Sequence, residues 1–195
     1  MAAPADLELP VRAFRTAGAF ERWLARRPAD SPGIWMKIAK RDSGIASVTH
    51  AEALEVALCY GWIDGQRRKL DAVHFLQRFT PRRPRSIWSK INCAKATTLV
   101  ESGRMQPAGL REMERAKADG RWDAAYDGQR TATVPPDLQA ALDRNRAARD
   151  FFATLDSRNR YAVLWRIAEA KRPQTRAARI ERFVTMLAAH EKLHT

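Results

Sequence analysis

The sequence predicts an α+β fold, in which a small, mostly antiparallel sheet is covered by helices and an all-helical C-terminal module follows. Apolar residues alternate with a period of two over residues 34–40 and extended character returns over residues 74–80, which is typical of strands. The connections between these segments are too short for repeated crossovers, which favours antiparallel pairing. After Pro136 the apolar residues recur only at helical spacing.

Several local signals place the elements of the first region. Thr16 is positioned to cap a first helix, and Thr49 with Glu52 forms the capping-box pattern of a second helix. Gly61 stands where a left-handed helix end is expected, and Trp62 opens the next extended segment. These signals predict a small, mostly antiparallel sheet packed by helices.

Proline residues divide the rest of the chain. Pro84 interrupts the regular structure, and the pattern then predicts one helix over residues 86–101 and another over residues 107–119. Residues 122–134 show no clear period and end at Pro135-Pro136. We therefore predict an α+β domain over residues 1–134 and a helical C-terminal module over residues 135–195.

The charge of the chain is its most unusual property. The 195 residues carry 35 Lys and Arg against 22 Asp and Glu, a formal net charge of +13. Such an excess favours an anionic partner. Residues 65–95 hold nine of the basic residues and one acid, so a large part of the charge is concentrated in one segment.

Other features of the composition exclude several classes of protein. The two cysteines and four histidines show no zinc-ligand spacing or disulfide framework, and no metal or cofactor is predicted. The N-terminus lacks the pattern of an export signal, and no apolar run approaches the length of a membrane span. These observations predict a cytoplasmic protein without membrane insertion.

The basic segment contains a candidate anion site. Three arginines precede the predicted helix start at Ser86, where free N–H groups and the helix dipole favour carboxylate or phosphate. The candidate ligand-binding residues are Arg78, Arg82, Arg83, Arg85, Ser86, Ser89 and Lys90. An anionic small molecule is therefore the predicted partner, although the same arginines could instead pair with acids of the fold, such as Asp64.

Two other interpretations remain open at this stage. In an enzyme acting on an anionic small molecule, Asp64 and His74 could face each other across neighbouring strands, with Trp62 beside them. No nucleophile elbow, phosphate loop or dinucleotide fingerprint is present, so no catalytic residue is assigned.

A non-specific nucleic-acid surface is the remaining alternative, since aromatic side chains lie among the basic ones. Helical spacing favours a core position for Trp88, and no known nucleic-acid-binding motif is present. Nucleic acid is therefore possible but not favoured.

The C-terminal region has its own basic cluster. Thr175 is predicted to cap the last helix, and Arg176 and Arg179 share a helix face. We expect these arginines to form ion pairs with acids of the front domain.

Several long strings resemble one known family. They are ALCYGWIDG at 57–65, RFTPRRPRSIWSKIN at 78–92, GRMQPAGL at 103–110, AKADGRW with AAY at 116–126, and AKRPQTRAARI at 170–180. They resemble the YdeI/OmpD-associated proteins, also called bacteriocin-protection proteins. The resemblance runs from about Leu9 to Leu187.

The resemblance implies a bacterial or archaeal protein with a YdhG-like front domain and a helical C-terminal module. The names of this family come from genetic association with porins and with resistance to antimicrobial peptides, and they imply a stress or resistance factor. They imply no reaction, cofactor or catalytic residue. Direct contact with a porin is not expected for a chain without an export signal.

Overall fold

The fold is described by a computed structural model over residues 9–27 and 30–194. Contacts divide the chain into two compact units, of which the first ends at Tyr126 and the second begins at Asp127. This division lies ahead of the domain boundary predicted at residues 134/135. In the described part of the chain, every helix is too short or too polar to cross a lipid bilayer.

The first unit is built on a four-stranded mixed sheet. Its strands are β1 (Val11–Ala13), β2 (Ile34–Ala39), β3 (Trp62–Lys69) and β4 (His74–Pro81), arranged in the order β1-β2-β4-β3. The α+β class is confirmed, and two of the three strand pairings are antiparallel. The short β1 was not predicted, and it pairs parallel to β2 because a helix connects the two strands.

Helices α1 (Ala17–Leu24) and α2 (His50–Cys59) pack on this sheet. The predicted caps are confirmed: Thr16 accepts a hydrogen bond from the N–H of Ala19, and the capping box of Thr49 and Glu52 is complete. Phe20, Met36 and Phe79 are fully buried between the helices and the sheet.

Two further helices extend the first unit, α3 (Lys90–Glu101) and α4 (Pro107–Ala118). The prediction that α3 begins at Ser86 is wrong by four residues. Ser86 instead closes a turn around Pro84, in which its N–H donates to the carbonyl of Arg83 at 2.9 Å. Ser89 is the true N-cap, and it accepts from the N–H of Asn92.

Close backbone contacts bring α4 against the end of α2. A Cβ at Gly109 would lie 2.3 Å from the carbonyl oxygen of Cys59, so only glycine fits. Gly61 has the predicted left-handed conformation with φ 72, and a Cβ there would meet Glu112 of α4 at 2.9 Å. Both glycines therefore allow α4 to approach the C-terminal end of α2, where the chain turns into β3.

The second unit contains α5 (Pro136–Asp143), α6 (Arg146–Ala153), α7 (Ser157–Ala168) and α8 (Pro173–Ala188), and no strand among its described residues. Leucines 138, 142 and 187 and Ile167 lie at the centre of its core.

The predicted roles of the second basic cluster are wrong in two respects. Arg172, without a side-chain hydrogen bond, occupies the N-cap of α8, so Thr175 does not cap this helix. Arg176 and Arg179 pair with Asp137 and Glu169, which are acids of the second unit rather than of the front domain.

Candidate functional site: a buried arginine cluster

The predicted anion-site residues lie in three different environments. Arg83 and Arg85 are exposed on the turn around Pro84 and make no ion pair with any residue that the structure describes. Lys90 is exposed in the first turn of α3. Arg78 is half-buried in β4, and its Nε is buried without a hydrogen-bond partner in the described protein.

The N-terminus of α3 is largely occupied by the protein itself. The N–H of Lys90 donates to the carbonyl of Tyr126 at 2.9 Å, and the N–H of Asn92 donates to Ser89 Oγ at 3.1 Å. Because these groups are already bonded, the helix start offers fewer donors to an anion than the sequence suggested.

Arg82 differs from its neighbours because it is buried. It is 6% exposed, and among the residues that the structure describes it is the one charged residue in the buried class. Its backbone N–H donates to the carbonyl of Gly61 at 2.9 Å, which fixes the chain where β4 ends. Its guanidinium stacks on Trp88, with Cζ 3.5 Å from the ring centroid.

The Arg82 guanidinium is only partly satisfied. Nη1 donates to the carbonyl of Ile87 at 3.2 Å, whereas Nε and Nη2 are buried and find no acceptor among the described residues. These two nitrogens form the side-on edge that binds a carboxylate or phosphate in a bidentate manner. The Nε1 donor of Trp88 is also buried without an acceptor in the described chain.

The surroundings of Arg82 carry an excess of positive charge. Glu112 of α4 is the acid with the strongest favourable charge interaction with Arg82, yet it also faces Arg115 and Arg121. Glu112 forms an ion pair with Arg115, and Arg121 donates hydrogen bonds from Nε and Nη2 to the carboxylate of Asp119. Four arginines, Arg82, Arg111, Arg115 and Arg121, therefore act on the charge of Glu112, and Arg121 has Asp119 as a second acid.

Burial changes the acid–base properties of this cluster. Burial lowers the pKa of Arg82 to about 10, partly opposed by the negative charge of Glu112. Burial also raises the pKa of Glu112, although the nearby arginines act in the opposite direction. The fold thus disfavours both charges, and a bound anion would stabilise the cationic form of Arg82.

The predicted pair of Asp64 and His74 does not form. Asp64 Oδ2 lies 2.9 Å from Nε2 of His50, whereas His74 Nδ1 bonds to Asp71. The cross-strand neighbour of Asp64 is Phe79, five residues and about 17 Å along β4 from His74. The sequence did not reveal the His50 pairing, because it depends on how α2 packs against β3.

The predicted pocket neighbour Trp62 and the predicted ligand-binding residue Ser89 contribute in different ways. Trp62 is buried in the core, where it packs edge-on against Trp23 at 5.9 Å. Ser89 interacts through its hydroxyl with the phenol of Tyr126, whose pKa is raised mainly by burial and next by the charge of Asp64. Tyr126 therefore connects the neighbourhood of Arg82 with the His50–Asp64 pair.

Neither thiol has the properties of a nucleophile. Cys59 is buried and Cys93 is half-buried, and burial raises the pKa of both thiols. Within the described ranges, no group of three or more His, Cys, Asp or Glu side chains is arranged to hold a metal ion.

The fold and the cluster define a class: a two-unit protein whose α+β front buries an arginine with an unsatisfied binding edge. Comparison with protein families then identifies the relatives of this chain. Residues 131–190 match the family described as bacteriocin-protection, YdeI or OmpD-associated, and residues 12–112 match a domain of unknown function (DUF8412). The DUF8412 match covers just over half of the chain, so the chain belongs to that family. The match over residues 131–190 confirms the predicted resemblance to the YdeI/OmpD-associated proteins. Neither the curated proteins nor the solved structures include a match to this chain.

Proposed function

We propose that this chain is a binding protein that captures a small anionic ligand through Arg82, by a carboxylate or phosphate group. The observation that carries the proposal is a buried guanidinium whose Nε and Nη2 lack acceptors in the described protein. Each buried, unsatisfied donor costs about 1–3 kcal/mol, and more when it is charged. A ligand that accepts from this edge offsets that cost upon binding.

The position of the site differs from the one that the sequence suggested. Arg82, stacked on Trp88, forms its centre, while the exposed Arg83 and Arg85 attract anions from outside. The ligand is expected to be small, because Arg82 and Trp88 are both buried.

The physiological role in the proposal comes from the family. A stress or antimicrobial-resistance factor of the cytoplasm is supported by the bacteriocin-protection description and by two unpaired cysteines, which are common in reducing compartments. We also propose that the front unit is YdhG-like, which agrees with a small sheet covered by helices.

The test is ligand-induced stabilisation of the full chain. Inorganic phosphate, sulfate, acetate and a panel of phosphorylated and carboxylated metabolites are added during thermal unfolding. A ligand at 100 times its Kd raises the free energy of unfolding by about 2.7 kcal/mol. We expect at least one anion to raise the Tm of the wild type and to lose this effect in Arg82→Met.

Two controls make this test specific. The Arg83→Gln/Arg85→Gln variant removes exposed charge from the same turn and should retain most of the response. Arg176→Met removes an arginine from the second unit and should retain all of it. An equal Tm response in Arg82→Met and wild type, or no response of the wild type to any anion, would contradict the proposal.

An enzyme acting on an anionic small molecule is the second candidate, and the His50–Asp64 pair favours it. The distance of 2.9 Å is suitable for a carboxylate that orients an imidazole base. If this candidate is correct, His50→Gln should retain anion-induced stabilisation while abolishing turnover of the bound compound. Unchanged turnover in His50→Gln would remove the candidate.

Non-specific nucleic-acid binding is the third candidate, and the buried aromatics disfavour it. Phe79 and Trp88 are buried and unavailable for stacking, while Phe75 is covered by the guanidinium of Arg67. Affinity for a short duplex that falls by orders of magnitude between low and moderate salt would support this candidate instead.

A further inference from the structure

The segment around the start of α3 exposes two large apolar side chains. Ile87 is 54% exposed and Ile91 is 49% exposed, the highest values for large hydrophobic residues in the described chain. The two isoleucines are four residues apart, and Trp88 between them is buried. This leaves apolar area in contact with water beside a well-packed core residue.

Positive charge accompanies these isoleucines. Arg83 and Arg85 are exposed, and the sequence has no Asp or Glu from residue 72 to residue 100. The turn that presents them is ordered, because Ser86 N–H donates to the Arg83 carbonyl and Arg83 N–H donates to Ser86 Oγ, both at 2.9 Å. Pro84 further restricts the turn. The backbone that carries Arg83 and Arg85 therefore has little conformational entropy left to lose on binding.

We propose that this surface, formed by Arg83, Arg85, Ile87 and Ile91, docks peripherally on an anionic lipid bilayer. The isoleucines enter the boundary between head groups and acyl chains, and the arginines contact lipid phosphates. The combination of exposed aliphatic side chains with unopposed cations on one ordered segment matches such a bilayer in both polarity and charge. This inference is independent of anion capture at Arg82, because none of the four residues supplies the buried guanidinium edge.

Nucleic acid fits the same surface less well. Phosphate contacts need only the arginines, and base contacts use hydrogen bonds or aromatic stacking, which isoleucine cannot supply. Exposed isoleucines would therefore remain in contact with water beside a nucleic acid, whereas a bilayer removes them from it.

Co-sedimentation of the full chain with lipid vesicles tests the inference. We expect binding to vesicles of phosphatidylcholine mixed with phosphatidylglycerol, weaker binding as salt increases, and little binding to phosphatidylcholine alone. Each arginine near an anionic surface contributes about fivefold to the binding constant. Arg83→Gln/Arg85→Gln should therefore weaken binding by at least about an order of magnitude.

The isoleucines provide the decisive variant. Ile87→Ser/Ile91→Ser leaves the charge unchanged and should weaken vesicle binding by about tenfold or more. The matched control is Arg41→Gln/Ile45→Ser, which removes one exposed cation and one isoleucine that is 46% exposed. This control should weaken vesicle binding less than either double variant of the proposed surface. Circular dichroism verifies that all variants are folded.

Three outcomes would overturn the proposal. They are no sedimentation of wild type with anionic vesicles at low salt, wild-type binding by Ile87→Ser/Ile91→Ser, and equal weakening by the control variant. Binding to a short DNA duplex that needs the arginines but not the isoleucines, without vesicle binding, would assign the surface to nucleic acid. Arg82→Met separates the two proposals, because it should abolish the response to small anions but retain vesicle binding.

Discussion

Arg82 of the first unit and Arg176 of the second unit use the same guanidinium geometry with different partners. Each donates from Nη1 to a backbone carbonyl, of Ile87 at 3.2 Å and of Ile167 at 3.0 Å. On the side-on edge, Arg176 binds Asp137 at 2.5 Å from Nε and 2.9 Å from Nη2. The corresponding nitrogens of Arg82 have no acceptor in the described protein.

The two arginines differ in an unexpected direction, because Arg82 is the more buried of the two and yet makes fewer hydrogen bonds. Arg176 retains access to water, so its fork with Asp137 contributes little to stability. Arg82 is nearly removed from water, so each missing acceptor is costly. A buried arginine that destabilises the folded state is better explained by a role in function, such as ligand binding.

The largest expected effect comes from truncating Arg82. Arg82→Ala removes the stem and the stack on Trp88, and should lower the free energy of unfolding by about 2–4 kcal/mol. Arg82→Met retains an apolar stem of similar length without the buried charge, and should change it by less than about 1 kcal/mol. Urea unfolding measures both values.

Arg176→Met is the matched variant in the second unit. It breaks a partly exposed ion pair and should cost about 0.5–1 kcal/mol. If Arg82→Met proves as destabilising as Arg82→Ala, the Arg82 charge stabilises the fold, and the contrast between the two arginines is lost.

An intermediate effect is expected in the pH dependence of the acids beside these arginines. Burial raises the pKa of Glu112 above its ordinary value, so its ionisation destabilises the fold as the pH rises through the unfolded value of 4.5. The hydrogen bond from Arg176 lowers the pKa of Asp137, so its stabilisation is present above 3.8 and lost as the pH falls through the folded pKa. The two acids therefore change stability in opposite directions with pH.

NMR titration of the two carboxyl groups and unfolding between pH 3 and pH 7 check this prediction. The stability of Glu112→Gln relative to wild type should be greatest at neutral pH, and Asp137→Asn should approach wild type at acid pH. A Glu112 that titrates below its ordinary pKa would show that Arg82 and Arg115 satisfy it fully.

The smallest effect is expected for the exposed turn. Arg83→Gln/Arg85→Gln removes two charges that make no ion pair with described residues, and should change the free energy of unfolding by no more than about 0.5 kcal/mol. Thermal unfolding at low and moderate salt measures it. A larger loss would show that these arginines, like Arg176, have structural partners.

Local chemistry made part of this structure predictable. The capping box at Thr49, the left-handed Gly61 and the strand that begins at Ile34 each depend on neighbours in sequence, and each is confirmed. The first residue of α3 was predicted wrongly because Ser86 and Ser89 could each cap the helix. The structure shows that Ser89 is the cap and that Ser86 belongs to the turn around Pro84.

The sequence located the basic segment that contains the candidate site, but it did not show which of its arginines is buried. Nothing in the local sequence distinguishes Arg82 from Arg83 and Arg85. The burial of Arg82 depends on α4 and on the chain near Tyr126, which lie far away in sequence. The same reason hid the His50–Asp64 pair, since α2 and β3 meet through tertiary packing. Long-range contacts thus determine which members of a basic run are available for chemistry.

The backbone of Tyr126 has a practical consequence for dissecting this protein. Its N–H donates to the Trp88 carbonyl at 3.0 Å, its carbonyl accepts from Lys90, and Trp122 packs on Trp88 with centroids 4.9 Å apart. A fragment that stops after α4 would lack all three contacts and expose an indole beside the guanidinium. Expression of the front half alone therefore requires a C-terminal boundary beyond Tyr126.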